Sequence, residues 1–516
     1  MQSRITLLCI SLLAAYTGSA SHSGNVSKNH HESNAAQAAL LQTIRLSDLP
    51  ELLTQKCALL GVPPYPTYVD LESLLLELSH VFQDEQTIFI GQFSEEANRS
   101  RSSLTDQIIW RSSLKDDEVY IAFYERELKD RTCLLSPPKT KFYAHSYAGQ
   151  LNVEVLVQYV NEKCHTFRTP HGHLTHGGLF HRHIMENLYT PDQPIENCVE
   201  LNRMPSKMEF FTEYLFRSRP VVIKNAYKDS IPIRKWTREY LRQTFGPKHI
   251  HIKLTDDGVF EGVESAYLWR DHHEQHIPPN VKSQLKFPDL VVVRPATSEM
   301  LFSDFLDLIS SGNVSYSAYL EYSSIPYHMQ ELEEDVHELP FLEGELERRH
   351  LNMWLSDGNT LGKLHFDPYD NFLCMLSGEK HLTLFDPHHN ENLYEAHIPE
   401  AILTFDPSRS TFSRNSLLES TSMVMSPVDI LRPDFEIFPN FATARRVHCV
   451  LKPGDVLFMP AFWWHEVQSH PDPVERRNLA INFWYEPLLT KEFPCQTCRL
   501  NYNMFYKNFL HNFDSV

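Results

Sequence analysis

The chain has 516 residues, 42% hydrophobic and 12% aromatic, enough apolar side chain for a large core and, at this length, for roughly two to four domains. Its formal charge of −19 argues against a phosphate-binding surface, which needs clustered Lys and Arg, so nucleic acid is not an expected partner. An acidic surface suits basic or neutral protein partners, or solubility alone.

Arg4 precedes the apolar run Ile5 to Ala15, and Gly18-Ser19-Ala20 offers small residues at a cleavage position. Residues 1–20 therefore read as a secretory signal peptide, too short for a membrane span. No later run reaches the ~18 apolar residues of a transmembrane helix, so no membrane span is expected. The chain is placed in the secretory pathway, in the endoplasmic reticulum lumen or secreted. Asn25-Val26-Ser27, Asn98-Arg99-Ser100 and Asn313-Val314-Ser315 are glycosylation acceptors. Loss of the leader removes Cys9 and leaves eight of the nine cysteines, an even count that permits disulfides without fixing their pairing. The segment Asn512 to Val516 carries no KDEL-type retention signal.

Residues 21–45, rich in His, Asn and Ser, read as a flexible leader. Leu71 to Phe82 spaces Leu74, Leu75, Leu78 and Phe82 as an amphipathic helix. Thr87 to Gly91 and Val119 to Phe123 read as buried strands. Phe142 to His145, Gly149 and a helix from Val153 to Asn161 follow. This order resembles the second half of a thioredoxin fold, and LNVEVLVQYVNEKC resembles the last helix of lumenal thioredoxin-like domains. No CxxC stands where that family places its redox pair, so residues 46–165 are expected to form a redox-silent α/β binding or spacer domain.

His165, His171, His173, His176, His181 and His183 crowd the next stretch. Their spacing matches no familiar zinc pattern and no cysteine pair flanks them, so residues 166–198 read as a solvated linker. A second domain spans 199–490. Ser206-Lys207-Met208-Glu209 is a capping box opening a helix to about Phe216. Arg219 to Ile223 reads as a strand and Trp236 to Phe245 as another helix. Pro387 to about Val450, rich in Ser, Asn and Pro, reads as a long excursion between strands that contributes to a substrate mouth. In the C-terminal segment 491–516, Cys495 and Cys498 read as a disulfide rather than a redox or zinc centre.

The chemistry concentrates between these elements. His365 and Asp367 alternate with Leu364 and Phe366, and on an extended strand residues i and i+2 share a face. His465 follows an apolar strand and two tryptophans in GDVLFMPAFWWHEVQS. Two histidines and a carboxylate with open positions make the facial triad of non-haem Fe(II) oxygenases. Lys380 opens the strand His381 to Phe385, where a buried ammonium is costly unless an anion joins it.

The segments RPVVIKNA (Arg219 to Ala226), GKLHFDPYDN, SGEKHLTLFDP, LKPGDVLFMPAFWWHEV and INFWYEP, in that order over roughly Val199 to Pro487, resemble JmjC (cupin-type) Fe(II)- and 2-oxoglutarate-dependent oxygenases. The branch is that of the asparaginyl hydroxylase acting on hypoxia-inducible factor. The resemblance implies an α+β domain with an all-β core, a double-stranded β-helix or jelly roll with flanking helices. It makes His365, Asp367 and His465 the metal ligands and Lys380 the partner of the distal carboxylate of 2-oxoglutarate. Asn371 and Asn482 would stand beside metal and cosubstrate, Tyr319 in AYLEYSS would help hold the same carboxylate, and Thr360 would fill a hydroxyl position ahead of the HxD motif. GNTLGKLH is one residue longer than the hydroxylase pattern at that point. Trp354, Trp463, Trp464 and Trp484 are expected as packing.

The implied reaction uses O2, with ascorbate as reductant, and converts 2-oxoglutarate to succinate while hydroxylating a protein side chain of the secretory pathway. Lysyl, asparaginyl, aspartyl and arginyl targets are all open, and N-methyl demethylation begins with the same hydroxylation. The rival reading is a JmjC-fold scaffold without turnover, which has no need of the intact ligand set. Oligomeric state is not legible in the sequence.

Overall fold

The computed structural model describes residues 42–44, 57–61, 70–85, 88–93, 108–110, 121–126, 142–164, 166–188, 196–270, 282–312, 315–342, 344 and 346–506. The expected signal peptide, most of the expected leader, Asn25, Asn98, Asn313, Cys133 and His165 lie outside the described residues. Residues 184–503 form one compact unit, and the described residues before them, with 504–506, form another. No described helix is long and apolar enough to cross a membrane.

In the N-terminal unit a six-stranded sheet runs in the order Thr43–Ile44, Ile88–Phe93, Cys57–Gly61, Ile121–Arg126, Phe142–Ser146, Ile108–Trp110. The first three are parallel, and Ile121–Arg126 is antiparallel to both its neighbours. Thr43–Ile44 thus places a strand inside the segment expected as leader. The helix Leu71–Val81 starts at Asp70, whose carboxylate accepts from the Ser73 N–H at 3.1 Å. Its stripe Leu71, Leu74, Leu75 and Leu78 shares a core with Leu156, Val157 and Val160 of the helix Val153–Cys164. That helix ends on Cys164, which is bonded to Cys57 at the head of a central strand.

The His-rich stretch is not the solvated linker expected. The buried amide of Asn161 donates to the Arg168 carbonyl at 2.8 Å and accepts from the Arg168 N–H at 3.0 Å. Nε of Arg168 reaches Glu85 at 2.6 Å, and the helix His176–Leu188 follows. A buried side chain that satisfies the backbone locally outweighs the polar composition on which the linker reading rested.

The larger unit is a sheet-rich β-sandwich with some helices. One sheet orders its nine strands as Ala296–Leu301, His249–Thr255, Ser317–Ser324, Arg348–Ser356, Asn478–Tyr485, Asp370–Ser377, Val456–Met459, Val221–Ile223, Val199–Leu201. The other has five, Val259–Phe260, Leu361–His365, Trp464–His470, Glu379–Phe385, Val447–Leu451. Leu373, Met375, Leu457 and Ala480 from the first meet Leu382, Leu384, Val447 and Leu451 from the second in a common core. The capping box at Ser206 is formed, and the helix it opens passes into a π-turn, Phe211–Leu215. Phe210 packs on Phe341, Phe372 and Phe458, with ring centres 4.8, 5.5 and 4.9 Å away. The outer side of the strand Asp370–Ser377 is thereby covered, and every residue of that strand is buried.

Two expectations are corrected in this unit. The second flanking helix begins at Arg238 with Thr237 as its N-cap, while Trp236 closes the preceding helix Ile231–Lys235 and donates its indole N–H to Asp335 at 2.8 Å. The excursion after Pro387 is only partly loop. Ala396–Asp406 and Thr411–Met425 pair antiparallel and join Leu290–Arg294 and Val263–Ser265 in a four-stranded sheet. Antiparallel strands with one solvated face tolerate the Ser and Asn content that looked like loop.

Candidate active site

Strands Leu361–His365 and Trp464–His470 run antiparallel with His365 opposite His465, and the two imidazole centres are 4.2 Å apart. The strand stops at His365, so Asp367 stands on the turn beyond it rather than on the strand itself. Its Oδ2 still lies 3.6 Å from Nε2 of His465. Leu364 and Phe366 are buried on the opposite side, as the alternation predicts. One ligand-capable atom from each of His365, Asp367 and His465 lies within 4.8 Å of the others.

The second contacts of the histidines test whether this cluster fits a metal. Nδ1 of His365 is 2.6 Å from the Lys363 carbonyl, and Nδ1 of His465 is 2.9 Å from the Trp463 carbonyl. A carbonyl only accepts, so each Nδ1 carries a proton and Nε2 is the atom each ring would turn to a cation. Burial, helped by His365, holds His465 well below the ordinary imidazole range, so it stays neutral. Burial raises the Asp367 carboxyl above its usual range, and a cation among the three would reverse that. Two imidazoles and one carboxylate fit a divalent first-row metal such as Fe(II).

Across the same cavity lies Lys380, 3% exposed, with its Nζ 2.8 Å from the Ser469 hydroxyl and 6.0 Å from the ring centre of Tyr319. Burial pushes its ammonium down to about 7, and among the described residues no carboxylate pairs with it. Asn482 accepts from the Trp354 indole at 2.9 Å and from Asn352 at 3.2 Å, and donates to Asn371 at 3.1 Å. Thr360 is buried in the cavity wall, its carbonyl accepting from the Ser469 N–H at 2.8 Å. The structure thus brings all eight residues singled out in the sequence to one cavity. Trp463 and Trp464 are core, as expected, whereas Trp354 and Trp484 line the cavity.

Residues 207–491, more than half of the chain, match the family model described as "Cupin-like domain". The chain belongs to the cupin-like domain family. Among similar proteins, the Homo sapiens "Bifunctional peptidase and (3S)-lysyl hydroxylase JMJD7" is 24% identical over 294 residues, 55% of this chain and 83% of that protein. The Danio rerio "Lysine-specific demethylase 8" is 27% identical over 288 residues, 54% of this chain and 56% of its own length. The Arabidopsis thaliana "Lysine-specific demethylase JMJ32" is 24% identical over 315 residues, 58% of this chain and 86% of that protein. The cupin-like domain is therefore of the JmjC kind, with relatives named as hydroxylases or demethylases.

Other residues of the cupin-like domain also line the cavity and escaped the sequence reading. Ser469 is four residues from His465 on one strand, and Lys363 is two before His365, so both share the cavity face by parity. Glu321 stands two residues after Tyr319, and burial together with Glu261 pushes its carboxyl up to about 7. Glu261 takes a left-handed backbone at φ 58° and pairs with Arg294. The wall near the triad thus carries two carboxyls, Glu321 and the Arg294-paired Glu261, beside Lys363.

Proposed function

We propose that this protein is an Fe(II)- and 2-oxoglutarate-dependent oxygenase that hydroxylates a protein side chain in the secretory pathway. One observation carries the reading: His365, Asp367 and His465 share a cavity with Lys380, a buried ammonium whose hydrogen-bond partner is a hydroxyl. When bound, the metal and 2-oxoglutarate supply O2 activation and oxidation of a substrate C–H bond, with ascorbate as reductant. The protein orients the ligands through the Lys363 and Trp463 carbonyls. Lys380 and the Ser469 hydroxyl would hold the distal carboxylate, backed by Tyr319. Asn482, fixed by Trp354 and Asn352, presents Asn371 beside it, and Trp354 and Trp484 keep the cavity dry. Thr360 lends the wall its carbonyl.

Glu321 and Glu261 favour a cationic target, so lysyl or arginyl side chains suit the cavity better than asparaginyl or aspartyl ones. Names of relatives that include lysyl hydroxylase and lysine-specific demethylase agree with that choice. For the compartment, the apolar leader after Arg4 is joined by three bonded cysteine pairs, Cys57–Cys164, Cys198–Cys449 and Cys495–Cys498, which belong in an oxidising lumen. For the N-terminal unit, the strand order, the parallel core and the missing CxxC support a redox-silent thioredoxin-like module.

The test is succinate release by purified protein with Fe(II), ascorbate and 2-oxoglutarate. Wild type should release succinate, and His365→Ala and Asp367→Ala should release none. Equal silence in all three, with no calorimetric binding of 2-oxoglutarate plus Mn(II), would sink the oxygenase reading and leave the scaffold.

A further inference from the structure

Glu395 and Lys491 form an ion pair with both side chains fully enclosed, Nζ lying 2.9 and 2.8 Å from the two carboxylate oxygens. Neither lines the cavity just described. A buried pair of this kind returns little net stability, because desolvation of two ions offsets their attraction. Its neighbours show a different use. Nζ of Lys491 is 5.0 Å from the ring centre of Phe366 and 6.0 Å from that of Phe462. Phe366 is the residue between His365 and Asp367. Its ring turns away from the cavity into a cluster with Phe462, Trp464 and Phe493, at 5.7, 4.8 and 5.4 Å. Phe462 also holds Asp367 directly, its N–H donating to the Asp367 carbonyl at 2.8 Å from a left-handed backbone at φ 66°. A single residue joins two of the three ligands, and its ring packs behind them against Trp464, Phe493, Phe462 and the Lys491 ammonium, which Phe462 shares.

We propose that the Glu395–Lys491 pair is a positioning device for the metal site, setting through Phe366 and Phe462 the turn that carries His365 and Asp367. The inference rests on the metal reading of His365, Asp367 and His465. Two directed hydrogen bonds give the ammonium one position, whereas apolar side chains of similar volume would let the Phe366 ring slide and the ligand spacing drift. Both are positioning residues, since neither touches metal or substrate.

Co(II) titration of the full chain, followed by calorimetry and visible absorption, tests this on wild type, the double variant Glu395→Leu/Lys491→Met, and Phe366→Leu. The double variant should still fold, since apolar replacement of a buried pair removes the desolvation of two ions, which offsets the Cys495 N–H that Glu395 also satisfies. Its Co(II) affinity should nevertheless fall roughly 10-fold or more, the usual effect of losing an orienting contact behind a ligand, and its absorption bands should broaden. Wild-type affinity and spectrum in a folded double variant would overturn the proposal. Should that variant fail to fold, Phe366→Leu keeps the ion pair but removes the ring it steers. Weakened Co(II) binding there supports the device, and unchanged binding overturns it. Absence of Co(II) binding in wild type would instead remove the metal reading, and this inference with it.

Discussion

Lys380 is a cation held in a cavity wall with no described carboxylate paired to it, and that has a measurable consequence. Burial pushes its ammonium down to about 7 in the folded protein, against about 10.4 for a free lysine. A carboxylate entering beside it favours the charged form, so the bound site has the higher pKa. Between the two values binding must take up a proton, and 2-oxoglutarate affinity should fall as pH rises above about 7. Calorimetry at about pH 8 in buffers of differing ionisation enthalpy should find about one proton taken up per ligand. Lys380→Met should abolish that uptake and weaken binding by roughly 30-fold or more, as loss of a buried charge partner costs about 2–5 kcal/mol. The stability sign is the reverse of an ordinary ion pair. The unfolded lysine holds its proton up to about pH 10, so this group's contribution is full above that range and is lost as pH falls through about 7. Residues with rare chemistry in or beside apolar strands, the triad and Lys380, stood out in the sequence, and they line one cavity. Ser469 and Glu321 did not stand out, because a serine or glutamate is unremarkable until the parity of its strand is tied to a known ligand.

Elements with local signals were also legible. The capping box at Ser206 and the stripe from Leu71 state their own structure, because hydrogen bonds and packing lie within one or two turns. The hairpin after Thr411 was missed because its pairing partner and solvated face, not its composition, make it a strand. The turn before Lys380 has a sharper local requirement. Gly378 joins Asp370–Ser377 to Glu379–Phe385 at φ 80°, and a Cβ there would stand 2.5 Å from the His470 carbonyl. Gly378→Ala should cost roughly 1–3 kcal/mol through backbone strain alone, and more if the carbonyl cannot retreat. Urea titration measures that loss. Because Lys380 is two residues further on, 2-oxoglutarate affinity should fall in the same variant, and by more than Co(II) affinity, since His465 lies five residues from the struck His470 carbonyl.

At the scale of the molecule, strand order is what the sequence withholds. Asn478–Tyr485 inserts between Arg348–Ser356 and Asp370–Ser377, so the sandwich closes on pairings more than a hundred residues apart. Pairings that distant leave no periodic trace, and the resemblance of ordered motifs had to stand in for them. One covalent link bears on the same closure. The Cys198 N–H donates to the His448 carbonyl and the His448 N–H to the Glu196 carbonyl, both at 2.8 Å, on the edge strand Val447–Leu451. The next residues, Val199–Leu201, pair with Val221–Ile223 at the edge of the nine-stranded sheet. The Cys198–Cys449 bond thus pins the passage from one sheet to the other across a separation of 251 residues, whereas Cys495–Cys498 spans a separation of 3. If constraint of the unfolded chain dominates, removing the first bond by double Ala substitution should cost roughly 5–6 kcal/mol and removing the second about 1.6 kcal/mol. Urea midpoints of the two variants decide it. Equal losses would mean that local packing around each bond, rather than the length of chain it closes, sets the stability of the sandwich.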